Sequence, residues 1–334
     1  MIFVPKAKQH IKFSESAIRP DELFLEWRKI LQEEVLEQIS HGSAALVESD
    51  CPGCGSGKRE SAFEVFGLKY HWCEECGSLY ASPRPSQAQL DKFYENSNAG
   101  VFWRDRVIKA TMSERRINHI QPLLNWYLEV QKAYCPGAAS AIDYRPKYYS
   151  MFEFLPENSI SDIHLAVPLH VEPSNSKVVA SLNDIEGGVD VITAFNVLER
   201  EVNPRLFLGE AFKKLNFGGL LFLTTNTVSG FEYQVLAGRS PNLVPPDRLN
   251  LLSVESVENM IKETGFEILD IGTPGKLDVD IVAKEFARHP NMPIPDFLKY
   301  IFKYRDQSVL TSLQNFLQLN NLSSFLRAVA MKKH

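Results

Sequence analysis

The chain has 334 residues, 44% hydrophobic and 23% charged, with a formal net charge of −5. That balance is the one expected of a globular protein with one large domain and a smaller module, and the negative charge excludes a general attraction to nucleic acid or an anionic membrane. The longest apolar run, GGLLFL, is too short to span a bilayer, and the start, MIFVPKAKQH, lacks the apolar core of a signal peptide, so the expectation is a cytoplasmic protein with no membrane and no nucleic-acid partner.

Residues 1–19 show no clear period. The stretch PDELFLEWRKILQEEVLEQISHG predicts an amphipathic helix, with Leu23, Trp27, Ile30, Leu31, Val35 and Ile39 at three- and four-residue steps. Asp21 and Glu22 suit its positive end and Gly42 its stop. Two readings of the helix at 20–41 stand: it packs on its own domain, or it meets a partner or a second copy.

Five cysteines are too few for a disulfide scaffold, and four of them cluster within 26 positions. CPGCG and CEECG place Cys51 and Cys54, then eighteen residues, then Cys73 and Cys76. Four thiolates at this spacing can surround one zinc, each pair closing a tight knuckle, with Gly55 and Gly77 supplying backbone freedom after the second cysteine. Four cysteine ligands leave no position for water, which points to a fold staple rather than a catalyst. AFEVF and KYHWC between the pairs read as a hairpin, with His71 a hairpin residue.

Next, SQAQLDKFY opens a helix with Ser86 and Gln89 as a capping box, and a longer helix covers Trp103 to Val130. CPGAAS breaks it. The stretch around Asp143, AIDYRPKYYSMFEFL, reads strand, acid, turn, helix: the shape of a nucleotide-cofactor loop without its glycines. Beyond it, strand and helix alternate. VDVITAF (189–195) is a buried strand. NPRLFLGEAFKKLNFGG is a helix capped by Asn203 and stopped by Gly218 and Gly219, and LLFLTT is a strand. SVESVENMIKETG is a helix ending at Gly265, FEILDIG is a strand, 295–320 is helical, and FLRAVAMK (325–332) closes the chain as a strand. This alternation predicts an α/β fold with a mostly parallel sheet and helices on both faces.

The segment CPGCGS…WCEECGSLYASPRPSQAQLDKFYENS resembles the N-terminal zinc ribbon of a group of class I S-adenosylmethionine-dependent methyltransferases. VDVITAFNVLEREVNPRLFLGEAFKKLNFGGLLFLTTNTVSGFEYQVL resembles that group's fourth and fifth strands, and SPNLVPPDRLNLLSVESVENMIKETGFEILDIGTPGKLDVDIV its acceptor-side region and sixth strand. The resemblance implies a Rossmann-like sheet of seven strands, the last antiparallel and inserted beside the fifth. The implied organisation is an N-terminal extension (1–49), a four-cysteine zinc ribbon (50–82), linking helices (83–135) and a class I methyltransferase-like domain (136–334).

The family's cofactor loop follows a strand with Asp and three alternating glycines. Asp143 matches, but Arg145, Lys147 and Tyr149 stand at the glycine positions and Pro146 removes a donor, so side chains would crowd the cofactor. The second strand, DIHLAVPL, ends without the ribose-binding carboxylate, unless Glu172 substitutes. Only LHVEPSNS separates it from the next strand, KVVASL, too few residues for a crossover helix, so 168–177 should lack one. The family's Glu-His after the fourth strand is Glu199-Arg200 here, and its histidine-bearing acceptor segment is PPDRLN. With no histidine at either point, Glu199 and Asp247 are the candidate bases. Asp143, Asp184 and Asn196 are the candidate cofactor contacts.

Ligands in open α/β sheets sit outside the carboxyl ends of the strands. Arg145, Lys147, Asn226, Glu232, Arg239 and Arg248 are the candidate substrate contacts there. Together with Arg200, their cations would suit an anionic small molecule such as a phosphorylated sugar or sugar nucleotide, with Arg145 and Lys147 at a helix N-terminus. The plain alternative is internal ion pairing, for example Arg200 with Glu232. The cofactor expectations are a structural zinc and, at most, weak binding of S-adenosylmethionine. Two functions compete: a methyltransferase acting on a sugar or other small metabolite, and a non-catalytic or repurposed relative that binds an anionic metabolite or regulates an enzyme. A nucleic-acid-binding zinc protein is the weakest reading, given the acidic balance.

Overall fold

The computed structural model describes residues 15–42, 45–156, 159–167, 169–171 and 176–333. The strands in chain order are β1 (Arg59–Val65), β2 (Leu68–Cys73), β3 (Leu79–Ala81), β4 (Ser140–Tyr144), β5 (Asp162–Ala166), β6 (Lys177–Val179), β7 (Val189–Phe195), β8 (Leu215–Asn226), β9 (Asn250–Leu251), β10 (Phe266–Gly272) and β11 (Phe325–Lys332). Seven form one sheet in the order β10-β11-β8-β7-β4-β5-β6. Neighbours from β8 through β6 pair in parallel, while β11 pairs antiparallel with both β8 and β10. This is the implied arrangement, with the last strand inserted beside the fifth strand of that sheet.

Helices cover both faces. On one, Phe207, Leu208 and Ala211 of the helix Pro204–Lys214 and Val257, Met260 and Ile261 of the helix Val254–Thr264 pack on Ile192, Leu221 and Leu223. On the other, Leu124, Trp126 and Tyr127 of the helix Gln121–Tyr134 pack on Val191, Leu220 and Phe222. The strands are buried on both faces and therefore read as continuous apolar runs.

Several elements differ from their predicted bounds. The helix capped by Asn203 ends at Lys214 rather than at Gly218 and Gly219, because LNFGG already belongs to β8. The 295–320 region is two helices, Asp296–Tyr304 and Gln307–Leu319; Asp306 accepts from the backbone of Ser308 and Val309 and so caps the second. The long helix predicted over Trp103 to Val130 is part of a helical run from Asn98 to Tyr134 with π-turns at Trp103–Ile108 and Arg116–Ile120. The helix Asp278–Arg288 was not anticipated as a separate element. Of the segment 168–177, residues 169–171 and 176–177 carry no helix, while Pro168 and 172–175, including Glu172, lie outside the described residues.

The helix Asp21–Val35 packs on its own chain. Phe24, Trp27, Leu31 and Val35 are buried against Tyr70, Leu79, Phe93 and Leu249. Its Glu34 accepts from Ser97 Oγ and from the backbone of Asn98 and Ala99, at 3.0, 2.6 and 3.0 Å, placing a carboxylate at the positive start of the long helical run.

The four-stranded ribbon sheet has the order β1-β2-β3-β9, so its last strand comes from the segment between β8 and β10. Arg84, 1% exposed, staples the junction: Nε donates to Ala81 O at 2.9 Å and Nη1 to Asn250 Oδ1 at 2.9 Å. Asn250 Nδ2 in turn donates to the carbonyls of Leu198 and Glu201 at 2.9 and 2.7 Å. Arg84→Ala strands these buried acceptors and should destabilise the protein by about 3 kcal/mol. A denaturation midpoint within about 0.5 kcal/mol of wild type would show that the staple contributes nothing.

Candidate functional site

The carboxyl ends of β4, β5 and β7 share one backbone feature. The residue after each strand, Arg145, Val167 and Asn196, has a left-handed φ of +50, +52 and +54°. Each donates its backbone N–H to the neighbouring strand's end: Arg145 to Ala166 at 2.8 Å, Val167 to Val179 at 3.0 Å and Asn196 to Thr224 at 2.8 Å. Glycine takes this conformation without cost, whereas an arginine or a β-branched valine pays for it. At Arg145 the backbone therefore makes a glycine-like turn while carrying a long side chain.

That side chain turns inward. Arg145 is 4% exposed, with Nε 3.4 Å from Glu201 and Nη2 3.4 Å from Asp91. Lys147 pairs with Asp247 and lies over the rings of Tyr94 and Tyr148, 5.4 and 5.2 Å from their centroids. Tyr94 Oη also donates to Asp247, at 2.9 Å. Burial lowers the Lys147 ammonium to about 8, with Arg200 and Arg248 adding to the effect against Asp247. Burial alone would raise Asp247, but Lys147, Arg200 and Arg248 outweigh it and hold the carboxyl at about 2. Tyr148 stacks on His170, and Tyr149 turns away to meet Phe154 edge-on. A void of about 10 Å³ remains among Trp27, Tyr94, Gly100, Lys147, Tyr148 and His170, about the room of a single water.

Asp143 is buried beneath this turn. It accepts from Ser150 Oγ at 2.6 Å, Thr193 Oγ1 at 2.8 Å and the backbone of Met151 at 3.3 Å. Burial nevertheless raises its carboxyl to about 6. A carboxyl raised on folding stabilises the native state in acid, and that stability is lost as pH rises from about 4 to about 6. The shift corresponds to about 3 kcal/mol, so Asp143→Asn should reduce the slope of the stability profile in that window, where Glu232 keeps a share of its own. Wild-type slope retained in the variant would mean that Asp143 does not carry it.

Among the described residues no α-helix follows the loop. Residues 145–150 lead into a single 3-10 turn, Met151–Phe154, so Arg145 and Lys147 do not sit at a helix N-terminus as expected. Glu199 is fully buried; it accepts from Thr225 Oγ1 at 2.7 Å and Asn226 Nδ2 at 3.1 Å, with Arg248 Nη1 3.6 Å away. The pair expected between Arg200 and Glu232 is not formed. Arg200 donates to the carbonyls of Asn196 and Arg145 at 2.7 and 3.0 Å. Glu232 accepts from Ser240 Oγ and Asn242 Nδ2, and burial raises it to about 7.

The fold thus gathers Arg145, Lys147, Glu199, Asp247 and Arg248 beside Asn196 and Asn226. Asp184, on the turn Leu182–Asp184, and Arg239, on the turn Ala237–Arg239, are exposed and form no part of that cluster. Tyr94, His170, Glu201 and Asp91 belong to it and were not anticipated. Tyr94 and Asp91 lie on the capped helix Gln87–Asn96, whose sequence marks a helix but not what it faces.

The second site is the ribbon. All four cysteine sulfurs lie within 4.8 Å of one another, Cys51 and Cys76 at 3.5 Å and Cys54 and Cys73 at 3.4 Å. Sulfurs about 2.3 Å from a tetrahedral zinc sit about 3.8 Å apart, so the group is consistent with a zinc site. Gly55 and Gly77 have φ of +78 and +67°, and each donates its N–H to the first cysteine's carbonyl of its own pair, at 2.8 and 3.0 Å. His71 instead contacts Ser82 O at 2.8 Å through Nε2, as a hairpin residue.

Among solved structures, phosphoethanolamine N-methyltransferase 2 of Haemonchus contortus is 15% identical, with 63% of this chain covering 53% of that one, at a TM-score of 0.39. This chain therefore spans about half the length of that relative. A SAM-dependent methyltransferase from Archaeoglobus fulgidus is 13% identical over 66% of this chain and 98% of its own, at a TM-score of 0.41. The cyclopropane synthase MmaA2 from Mycobacterium tuberculosis is 16% identical over 58% and 77%, at a TM-score of 0.35. No curated protein matches the chain. Residues 53–271, about two-thirds of the chain, match the model of a methyltransferase domain family. With that match and the seven-stranded order β10-β11-β8-β7-β4-β5-β6, the chain belongs to the methyltransferase-domain family, on the fold of the S-adenosylmethionine-dependent enzymes.

Proposed function

We propose that this chain is a non-catalytic or repurposed member of that family, whose own side chains take the place of S-adenosylmethionine and which acts by binding rather than by methyl transfer. The observation that carries the reading is the pairing of Lys147 with Asp247 under Tyr94 and Tyr148, which leaves a void of about 10 Å³ where the cofactor loop meets the acceptor segment. S-adenosylmethionine is far larger than a single water, so on this reading it would have to displace these side chains. The described end of β5, Ala166 and Val167, also offers no carboxylate to a ribose. Calorimetric titration with S-adenosylmethionine tests it: absence of binding at micromolar ligand supports the reading, and a micromolar Kd overturns it.

An anionic sugar phosphate or sugar nucleotide has weaker support. Arg145, Lys147 and Arg248 each already face a carboxylate, so such a ligand would have to break buried ion pairs. Zinc is the metal we assign to the four cysteines, on the chemistry of four thiolates and the fit of their spacing.

A further inference from the structure

The helix Gln307–Leu319 carries no charged residue, and the uncharged run continues to Leu326. It spans twenty residues, in which the chain's 23% charged share would place between four and five charges. Uncharged sequence is ordinary in a core, but this helix is at the surface. Phe316 and Leu319 are 54% and 78% exposed. Ser308 and Ser312 are exposed on the same stripe, since steps of four, four and three residues stay on one helix face. The bulky side chains thus occupy one half of the stripe and the small ones the other.

We propose that this stripe is a docking surface for a second copy of the same chain, the two helices packing antiparallel about a two-fold axis that passes between Ser312 and Phe316. In that arrangement Ser312 faces the second copy's Phe316 and Ser308 faces its Leu319, so each small half receives the other copy's bulky half. A two-fold interface sets a surface against itself, and any charge near the axis would meet its like. A stripe without charges carries no such repulsion, and it offers a charged partner nothing to complement. A contact of one helix from each copy is small, so association belongs in the micromolar range.

Sedimentation equilibrium across micromolar concentrations tests this on the full chain. Wild type should dimerise, and Leu319→Asp should be monomeric throughout. Ser312→Trp separates this geometry from general stickiness: it adds exposed apolar surface yet fills the space for the second copy's Phe316, and should weaken the dimer at least about tenfold. Circular dichroism confirms that each variant is folded, and Leu319→Gln replaces the aspartate should that variant fail to fold. The proposal is overturned if wild type is monomeric throughout, if the dimer survives Leu319→Asp, or if Ser312→Trp strengthens association. Monomeric wild type that co-sediments with phosphatidylcholine vesicles would assign the face to lipid and equally overturn it.

Discussion

Titration with S-adenosylmethionine should give binding no tighter than the millimolar range, above roughly −4 kcal/mol, where an intact site of this fold would give micromolar binding near −8 kcal/mol. The gap of about 4 kcal/mol is large and easily read. On the proposed reading the physical reason is displacement. To admit the cofactor, Lys147 would have to leave Asp247, which is 7% exposed and also accepts from Tyr94. Breaking a buried pair without replacing either partner costs about 3–5 kcal/mol, comparable to the whole expected difference. The triple substitution of glycine for Arg145, Lys147 and Tyr149 should not restore binding. It opens space but takes Lys147 from buried Asp247 and Arg145 from buried Glu201, and it supplies no carboxylate at the end of β5. A micromolar Kd for the triple variant would show that sterics alone block the site.

Metal analysis should find about one zinc per chain, and its loss should be the most disruptive single change in the molecule. Apparent zinc-binding free energies for small thiolate sites are about 10–16 kcal/mol, as large as the stability of an entire domain. Cys73→Ala should therefore release the metal and open the ribbon. The effect should reach beyond the cysteines, because β3 pairs with β9 through Leu79–Leu251 and Tyr80–Asn250. Ser253 Oγ also donates to Cys76 O at 2.7 Å, and the Ser253 backbone N–H donates to Ser78 Oγ at 3.0 Å. Hydrogen exchange should accelerate in 51–81 and in 249–257 together. Cys135→Ser, outside both knuckles, should change neither metal content nor exchange. Unchanged protection of 249–257 in Cys73→Ala would mean that the ribbon is an independent appendage.

Much of this protein was written in its local sequence. The paired CxxC spacing, the glycines after each knuckle, the Ser86–Gln89 capping box and the strands 189–195, 266–272 and 325–332 follow from chemistry acting over a few residues: ligand geometry, orphan backbone donors and the period of burial. The helix ends were harder, since LNFGG continues as strand only because Leu220–Leu223 already pairs with β7 and β11, a contact no local window contains. The loop after β4 shows the same division more sharply. That Arg145, Lys147 and Tyr149 stand where glycines are expected is a fact of the sequence. Where those side chains go was decided by partners far along the chain. Lys147 finds Asp247, a hundred positions away, and Arg145 finds Glu201 and Asp91, while Tyr149 leaves the site altogether. A buried charge must be paired, but its sequence does not say with what; only the folded arrangement of β4, β7, the capped helix and the acceptor segment brings these cations and carboxylates within reach of one another.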